Sequence, residues 1–92
     1  HGAGGAVGTA MLQLGRNRGL KVYGTASKSK HNLVSALGGI PIDYNNEKWP
    51  AQILQHNGDG LDTVFDAIGG ESYKKSFQTL KKNGTLVGYG IL

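Results

Sequence analysis

At 92 residues the chain is the size of one small domain or of part of a larger one, and it can bury only a modest core. It contains no cysteine, which excludes disulfides and cysteine-ligated zinc within these residues, and no apolar run long enough to span a membrane. The net charge of +4 comes from dispersed lysines such as Lys74-Lys75 and Lys81-Lys82, so solvated helix surfaces and a phosphate-bearing small ligand fit it better than nucleic acid.

The first eight residues, His1-Gly2-Ala3-Gly4-Gly5-Ala6-Val7-Gly8, include four glycines. Val7, Ala10, Met11 and Leu14 follow at i, i+3, i+4 and i+7, which predicts a helix from about Gly5 to Asn17. Arg16 and Arg18 suit its end, and Gly19 suits its C-cap. A glycine-rich turn opening a helix is how α/β proteins hold a pyrophosphate, because free N–H groups and the helix dipole face the anion. The spacing reads as Gly2-x-x-Gly5-x-x-Gly8 or Gly2-x-Gly4-x-x-x-Gly8, neither of them the plain G-x-G-x-x-G fingerprint. A purely structural turn is the alternative reading.

Leu20–Ala26 is a short strand-type run. Ser27 or Ser29 suits the cap of a second helix with apolar positions Leu33, Val34, Ala36 and Leu37, ended by Gly38-Gly39. The proline in Ile40-Pro41-Ile42-Asp43-Tyr44 predicts a strand near a sheet edge. A third helix is expected to begin at Asn45 and Asn46, with Pro50 in its first turn and Trp49 and Ile53 sharing a face. Asn57-Gly58-Asp59-Gly60 reads as a turn, and 61–68 as the strongest strand. Tyr73, Phe77 and Leu80 would line a fourth helix closed by Asn83-Gly84, and Thr85–Gly90 would be the last strand.

Strict alternation of helix and strand predicts an α/β fold: a Rossmann-like doubly wound parallel sheet with helices on both faces. A phosphate loop normally follows the central strand of such a sheet, and none precedes this one. The chain is therefore expected to be an incomplete dinucleotide-binding domain spanning 1–92. Its first strand, its C-terminal strand and a substrate domain would lie outside the window.

HGAGGAVG, LKVYGTASKSK, LGGIPIDY, GLDTVFDAIGG and LKKNGTLVGYG, in this order and at this spacing, resemble the cofactor domain of medium-chain dehydrogenases/reductases, in the quinone oxidoreductase-like branch that includes zeta-crystallin. The resemblance covers essentially the whole chain. It implies an NADPH-dependent, zinc-independent oxidoreductase that passes hydride to a quinone, enone or aldehyde. The full-length protein would be a cytoplasmic homodimer with a small-molecule substrate and no nucleic-acid or membrane partner. Alternatives are a zinc-containing alcohol dehydrogenase-type or enoyl reductase domain, and a non-enzymatic, crystallin-like nucleotide-binding protein. An S-adenosylmethionine methyltransferase would want an acid at the end of its second strand.

Gly5, Ala6, Val7 and Gly8 are expected to contact the pyrophosphate through main-chain N–H groups. An NAD site usually carries Asp or Glu about 20 residues past the loop, for the ribose 2′-OH. Here Gly24–Lys30 contains no acid, and its hydroxyls and lysines, Ser27 among them, suit a 2′-phosphate. The resemblance implies a lysine and a tyrosine at that phosphate, matching Lys30 and Tyr44. It also implies that Ile68, Gly69, Gly88, Tyr89 and Gly90 border the nicotinamide half of the cleft. Asp66 matches a structural D-x-x-G and is expected to stabilise a turn. His1 and His31 have no partner at ligand spacing, and Trp49 reads as core. No catalytic side chain and no metal ligand is assigned.

Overall fold

The computed structural model describes residues 1–89. Helices and strands alternate as predicted: α1 (Ala6–Asn17), β1 (Tyr23–Ala26), α2 (His31–Ala36), β2 (Ile40–Asp43), α3 (Trp49–His56), β3 (Leu61–Asp66), α4 (Glu71–Thr79) and β4 (Leu80–Gly88). They form two compact units, one of residues 1–47 and one beginning at Lys48. Gly90, expected in the last strand and at the cleft, lies outside the described residues.

In the first unit β1 and β2 pair in parallel from Tyr23 opposite Ile40 to Ala26 opposite Asp43. Ala3, Leu12, Ala26 and Val34 form its core, with Val22 and Leu37 packed against them. Burying a side chain such as Leu12 contributes roughly 1.5–3 kcal/mol. The stripe of α1 that is buried is not the one its bulky residues suggest. Gly8, Leu12 and Gly15 are buried, whereas Val7 and Leu14 are each 52% exposed. The cause is close approach: a Cβ on Gly15 would strike the Val22 side chain, and one on Gly8 would strike the Gly2 carbonyl.

β1 starts at Tyr23, three residues later than the predicted run, although the Val22 carbonyl still accepts from Ile40 N–H at 2.8 Å. A short 3-10 turn, Lys28–Lys30, precedes α2. Ser27 stands at the cap position of that turn, yet its hydroxyl makes no capping bond and lies 3.1 Å from the Ser29 hydroxyl.

In the second unit β3 and β4 pair in parallel from Leu61 opposite Leu80 to Asp66 opposite Gly88. α3 begins at Trp49 rather than at Asn45 or Asn46. Asp43 holds those two asparagines in a turn: its carboxylate accepts from Asn45 N–H at 3.0 Å and its carbonyl from Asn46 N–H at 3.1 Å. Pro50 does lie in the first turn of α3, and Trp49 and Ile53 are both buried.

β3 stops at Asp66, short of Ile68, because the Asp66 carboxylate gathers the next N–H groups into a turn. α4 ends at Thr79, whose hydroxyl donates to the Ser76 carbonyl at 2.7 Å, and Leu80 is already extended. Its buried side carries Ser76 and Thr79, while Phe77 is 62% exposed. Asn83-Gly84 therefore closes no helix. It sits inside β4 where the pairing jumps from Leu61–Leu80 to Thr63–Thr85 and leaves residues 81–84 unpaired.

Candidate functional site

The candidate residues of the first unit meet at the carboxyl end of β1. The glycine loop is fixed there by main-chain bonds: Ala3 N–H donates to the Thr25 carbonyl at 3.1 Å, and Gly5 N–H to the Gly2 carbonyl at 2.9 Å. Gly2 takes φ +65°, a left-handed conformation that glycine adopts without a Cβ penalty. His1 Nδ1 lies 2.8 Å from the Thr25 hydroxyl and adds a third tie.

Gly5 is the N-cap of α1, and no side chain caps the helix. Thr9 N–H is the first to find an intrahelical acceptor, the Gly5 carbonyl at 2.9 Å. The N–H groups of Ala6, Val7 and Gly8 therefore have no acceptor among the described residues. Backbone donors left open at the positive end of a helix favour a negatively charged group. Gly8 has to be glycine: a Cβ there would stand 2.7 Å from Ala3 Cα as well as striking the Gly2 carbonyl.

Lys30, exposed, comes back over this loop from the 3-10 turn. A Cβ built on Gly4 would lie 3.0 Å from Lys30 Cγ. Ser27 is half-buried beside it in the chain, and Ser27 accepts Lys30 N–H through its carbonyl at 2.9 Å. His31 Nε2 lies 3.1 Å from the Ala26 carbonyl, so this histidine fastens the strand end. Tyr44 follows β2, 49% exposed, and its N–H donates to the Ala26 carbonyl at 3.4 Å. Linear sequence missed one acid here. Asp43 is the register partner of Ala26 and so borders the acid-free segment, with its carboxylate turned to Asn45 N–H.

The candidates of the second unit meet at the carboxyl ends of β3 and β4. Asp66 is fully buried. Oδ1 accepts from Ile68 N–H at 2.7 Å and Gly69 N–H at 3.2 Å; Oδ2 accepts from the Ser72 hydroxyl at 2.7 Å and the Ser76 hydroxyl at 2.9 Å. Burial pushes its acidity down, but the bonds from Ser72, Ile68, Ser76 and Gly69 outweigh it and hold the carboxyl below the usual carboxylate range. Asp66 is thus a turn-stabilising anion, as the sequence suggested.

That turn leaves Ile68 60% exposed at the rim and Gly69 buried beneath it. Tyr89 N–H donates to the Asp66 carbonyl at 3.2 Å, which joins the two strand ends. Gly88 is exposed, and Tyr73 of α4 lies on it: a Cβ at Gly88 would stand 3.0 Å from Tyr73 Cζ and strike the hydroxyl. Sequence reasoning placed Tyr73 only on a helix face. The contact is non-local and has no sequence signature.

Residues 6–92 match the zinc-binding dehydrogenase family. The chain is 40% identical to the zebrafish (Danio rerio) synaptic vesicle membrane protein VAT-1 homolog over 98% of its length, and 30% identical to a probable quinone oxidoreductase of Schizosaccharomyces pombe, also over 98%. It spans 19% and 28% of those two relatives. Among solved structures, the quinone oxidoreductase of Pseudomonas syringae superposes with a TM-score of 0.92 at 30% identity, covering 99% of this chain and 29% of that one. The Escherichia coli quinone oxidoreductase complexed with NADPH superposes with a TM-score of 0.92 at 26% identity, with the same coverages. The glycine loop, the parallel strand pairs and the Asp66 turn are thus those of a known fold, and the chain belongs to the zinc-binding dehydrogenase family of medium-chain dehydrogenases/reductases, as a quinone oxidoreductase-like cofactor-binding domain.

Proposed function

We propose that this chain is the NADPH-binding part of an oxidoreductase that reduces a quinone, enone or similar activated carbonyl by hydride transfer. The reading rests above all on the N–H groups of Ala6, Val7 and Gly8, which have no acceptor among the described residues and stand at the positive end of α1. The residues present fit a dinucleotide. Gly5 to Gly8 would hold the pyrophosphate. Lys30, Ser27 and Tyr44 would take the 2′-phosphate, and the segment from Gly24 to Lys30 offers it no repelling acid. Ile68, Gly69, Gly88 and Tyr89 would border the nicotinamide.

The bound nicotinamide supplies the hydride. This chain's own part is to bind and orient it, because the hard chemistry belongs to the cofactor. Catalytic side chains, the substrate domain, the homodimer and independence from zinc are assigned to the full-length protein on the quinone oxidoreductase likeness. The test is titration of the full-length protein with NADPH and NADH, followed by turnover of a quinone and an enone with and without a chelator. Absence of NADPH binding would overturn the cofactor assignment, and loss of turnover with chelator would overturn zinc independence.

A second reading is favoured by the relatives at 40% identity, whose name places them at the synaptic vesicle membrane. A family member working at a membrane surface fits them. Among the described residues no helix is long and apolar enough to cross a bilayer. Flotation of the full-length protein with vesicles tests it.

A further inference from the structure

We propose that Asn83 is a site of spontaneous deamidation, and that the fold directs this reaction to Asn83 and away from Asn57. Both residues precede glycine, the combination that least obstructs attack of the next amide nitrogen on the side-chain carbonyl. Their surroundings differ. Asn57 is tied at three points: its N–H donates to the Ile53 carbonyl at 2.9 Å, its carbonyl accepts from Gly60 N–H at 2.8 Å, and its Nδ2 donates to the Gly60 carbonyl at 3.1 Å. Asn83 is exposed and its side chain has no hydrogen-bond partner among the described residues. It has φ +68°, alone among the described non-glycine residues in the left-handed region, and it lies in the stretch of β4 that pairs with no residue of β3.

The reaction needs only water. The Gly84 nitrogen loses its proton and bonds to Asn83 Cγ; the Cγ–Nδ2 bond breaks and ammonia leaves, giving a cyclic imide. Water then opens the imide. Attack at Cγ leaves an aspartate on an unchanged main chain. Attack at the main-chain carbonyl leaves an isoaspartate whose main chain runs through the side-chain carbon. The extra main-chain atom falls between Leu80 and Thr85, outside the paired residues, so the ladder from Thr63–Thr85 to Asp66–Gly88 is kept. A new negative charge appears beside Lys82 and the Lys81–Asp62 ion pair.

The experiment is timed incubation of the full-length protein, native and in denaturant, with peptide mapping by mass spectrometry at both asparagines. Unfolding removes the difference in surroundings and supplies the intrinsic rates. Having to break a hydrogen bond first slows Asn57 by roughly two- to tenfold. The expected result is that the Asn83:Asn57 rate ratio is higher in the native protein than in denaturant by about that factor or more. An equal or lower native ratio, or no conversion at Asn83 in the native protein, would overturn the proposal.

Discussion

The aliphatic stem of Lys30 lies along Gly4. A Cβ built on Gly4 would stand 3.0 Å from Lys30 Cγ, 3.1 Å from Cβ and 3.2 Å from Cδ. The ammonium group is thereby tethered to the glycine loop by packing of its methylene chain, the way long cationic side chains cover apolar surface while the charge stays in water. A 2′-phosphate held by Lys30 and a pyrophosphate held by the loop would then share one supporting contact.

Lys30→Ala is expected to weaken NADPH binding and leave NADH nearly unchanged. A hydrogen bond to a charged group is worth roughly 1.5–3 kcal/mol. At about 1.4 kcal/mol per decade this gives a loss of roughly 10- to 100-fold. The contact is exposed, so the wild-type preference for NADPH should shrink with added salt. Titration of both cofactors against both proteins at two salt concentrations checks this. Equal losses for NADPH and NADH would refute the assignment.

Gly5 and Gly8 separate loop function from loop structure. Gly5 is in an extended conformation, φ −85° and ψ 179°, and a Cβ there would meet only the Gly2 carbonyl at 3.4 Å. Gly5→Val should therefore keep the melting temperature while weakening NADPH and NADH alike, since both carry the pyrophosphate. Gly8→Ala presses a methyl into the backbone of Gly2 and Ala3. It should cost about 1–3 kcal/mol of stability as overpacking does. Thermal melts and cofactor titrations of the two variants decide it. A Gly5→Val protein with unchanged affinity would show that the loop only turns the chain.

Features with a local cause were legible in the sequence. The glycine loop, the helix behind it, the Trp49–Ile53 face and the Asp66 turn all act within a few residues of chain. What the sequence hid is non-local or concerns backbone contact. Gly8, Leu12 and Gly15 are the buried stripe of α1 because glycine lets the helix approach Ala3 and Val22, and hydrophobicity patterns give glycine no weight. Asp43 reaches the end of β1 only through sheet register. α4 ends at Thr79, where Leu80 turns extended without a stop signal in the sequence, and the Asn83-Gly84 pair that looked like its stop is a bulge instead.

The Tyr73–Gly88 contact predicts a coupled pair. Gly88→Ala places a methyl against the phenol of Tyr73 and should destabilise the protein by about 1–3 kcal/mol. Tyr73→Ala loses its own packing but removes the obstacle, so in its background Gly88→Ala should cost little. A double-mutant cycle in denaturant measures the difference as an interaction energy. Additive effects would mean that Tyr73 does not hold the position over Gly88.

Asp66 predicts the response to acid. Its folded pKa lies below the ordinary carboxylate value, because bonds from Ser72, Ile68, Ser76 and Gly69 outweigh the burial that opposes ionisation. In the unfolded chain it titrates near the reference value of about 3.9. The native state therefore binds fewer protons than the unfolded state between the two values. Its stabilisation is fully present above the unfolded value and is lost as pH falls from there through the lowered folded value. Asp66→Asn keeps one acceptor but puts an NH₂ where Oδ2 accepts two hydroxyls or where Oδ1 accepts two N–H groups. Leaving such buried groups unsatisfied costs roughly 1–3 kcal/mol. At neutral pH the variant should be less stable than wild type by about that amount, and the gap should narrow as the pH is lowered below about 4. Ser76→Ala removes one of the bonds that lower the value, so its wild-type-relative deficit should also narrow in acid. Denaturant unfolding of the three proteins from neutral to acid pH measures both trends. A gap that stays constant with pH would mean that Asp66 is not the ionised anchor of the turn.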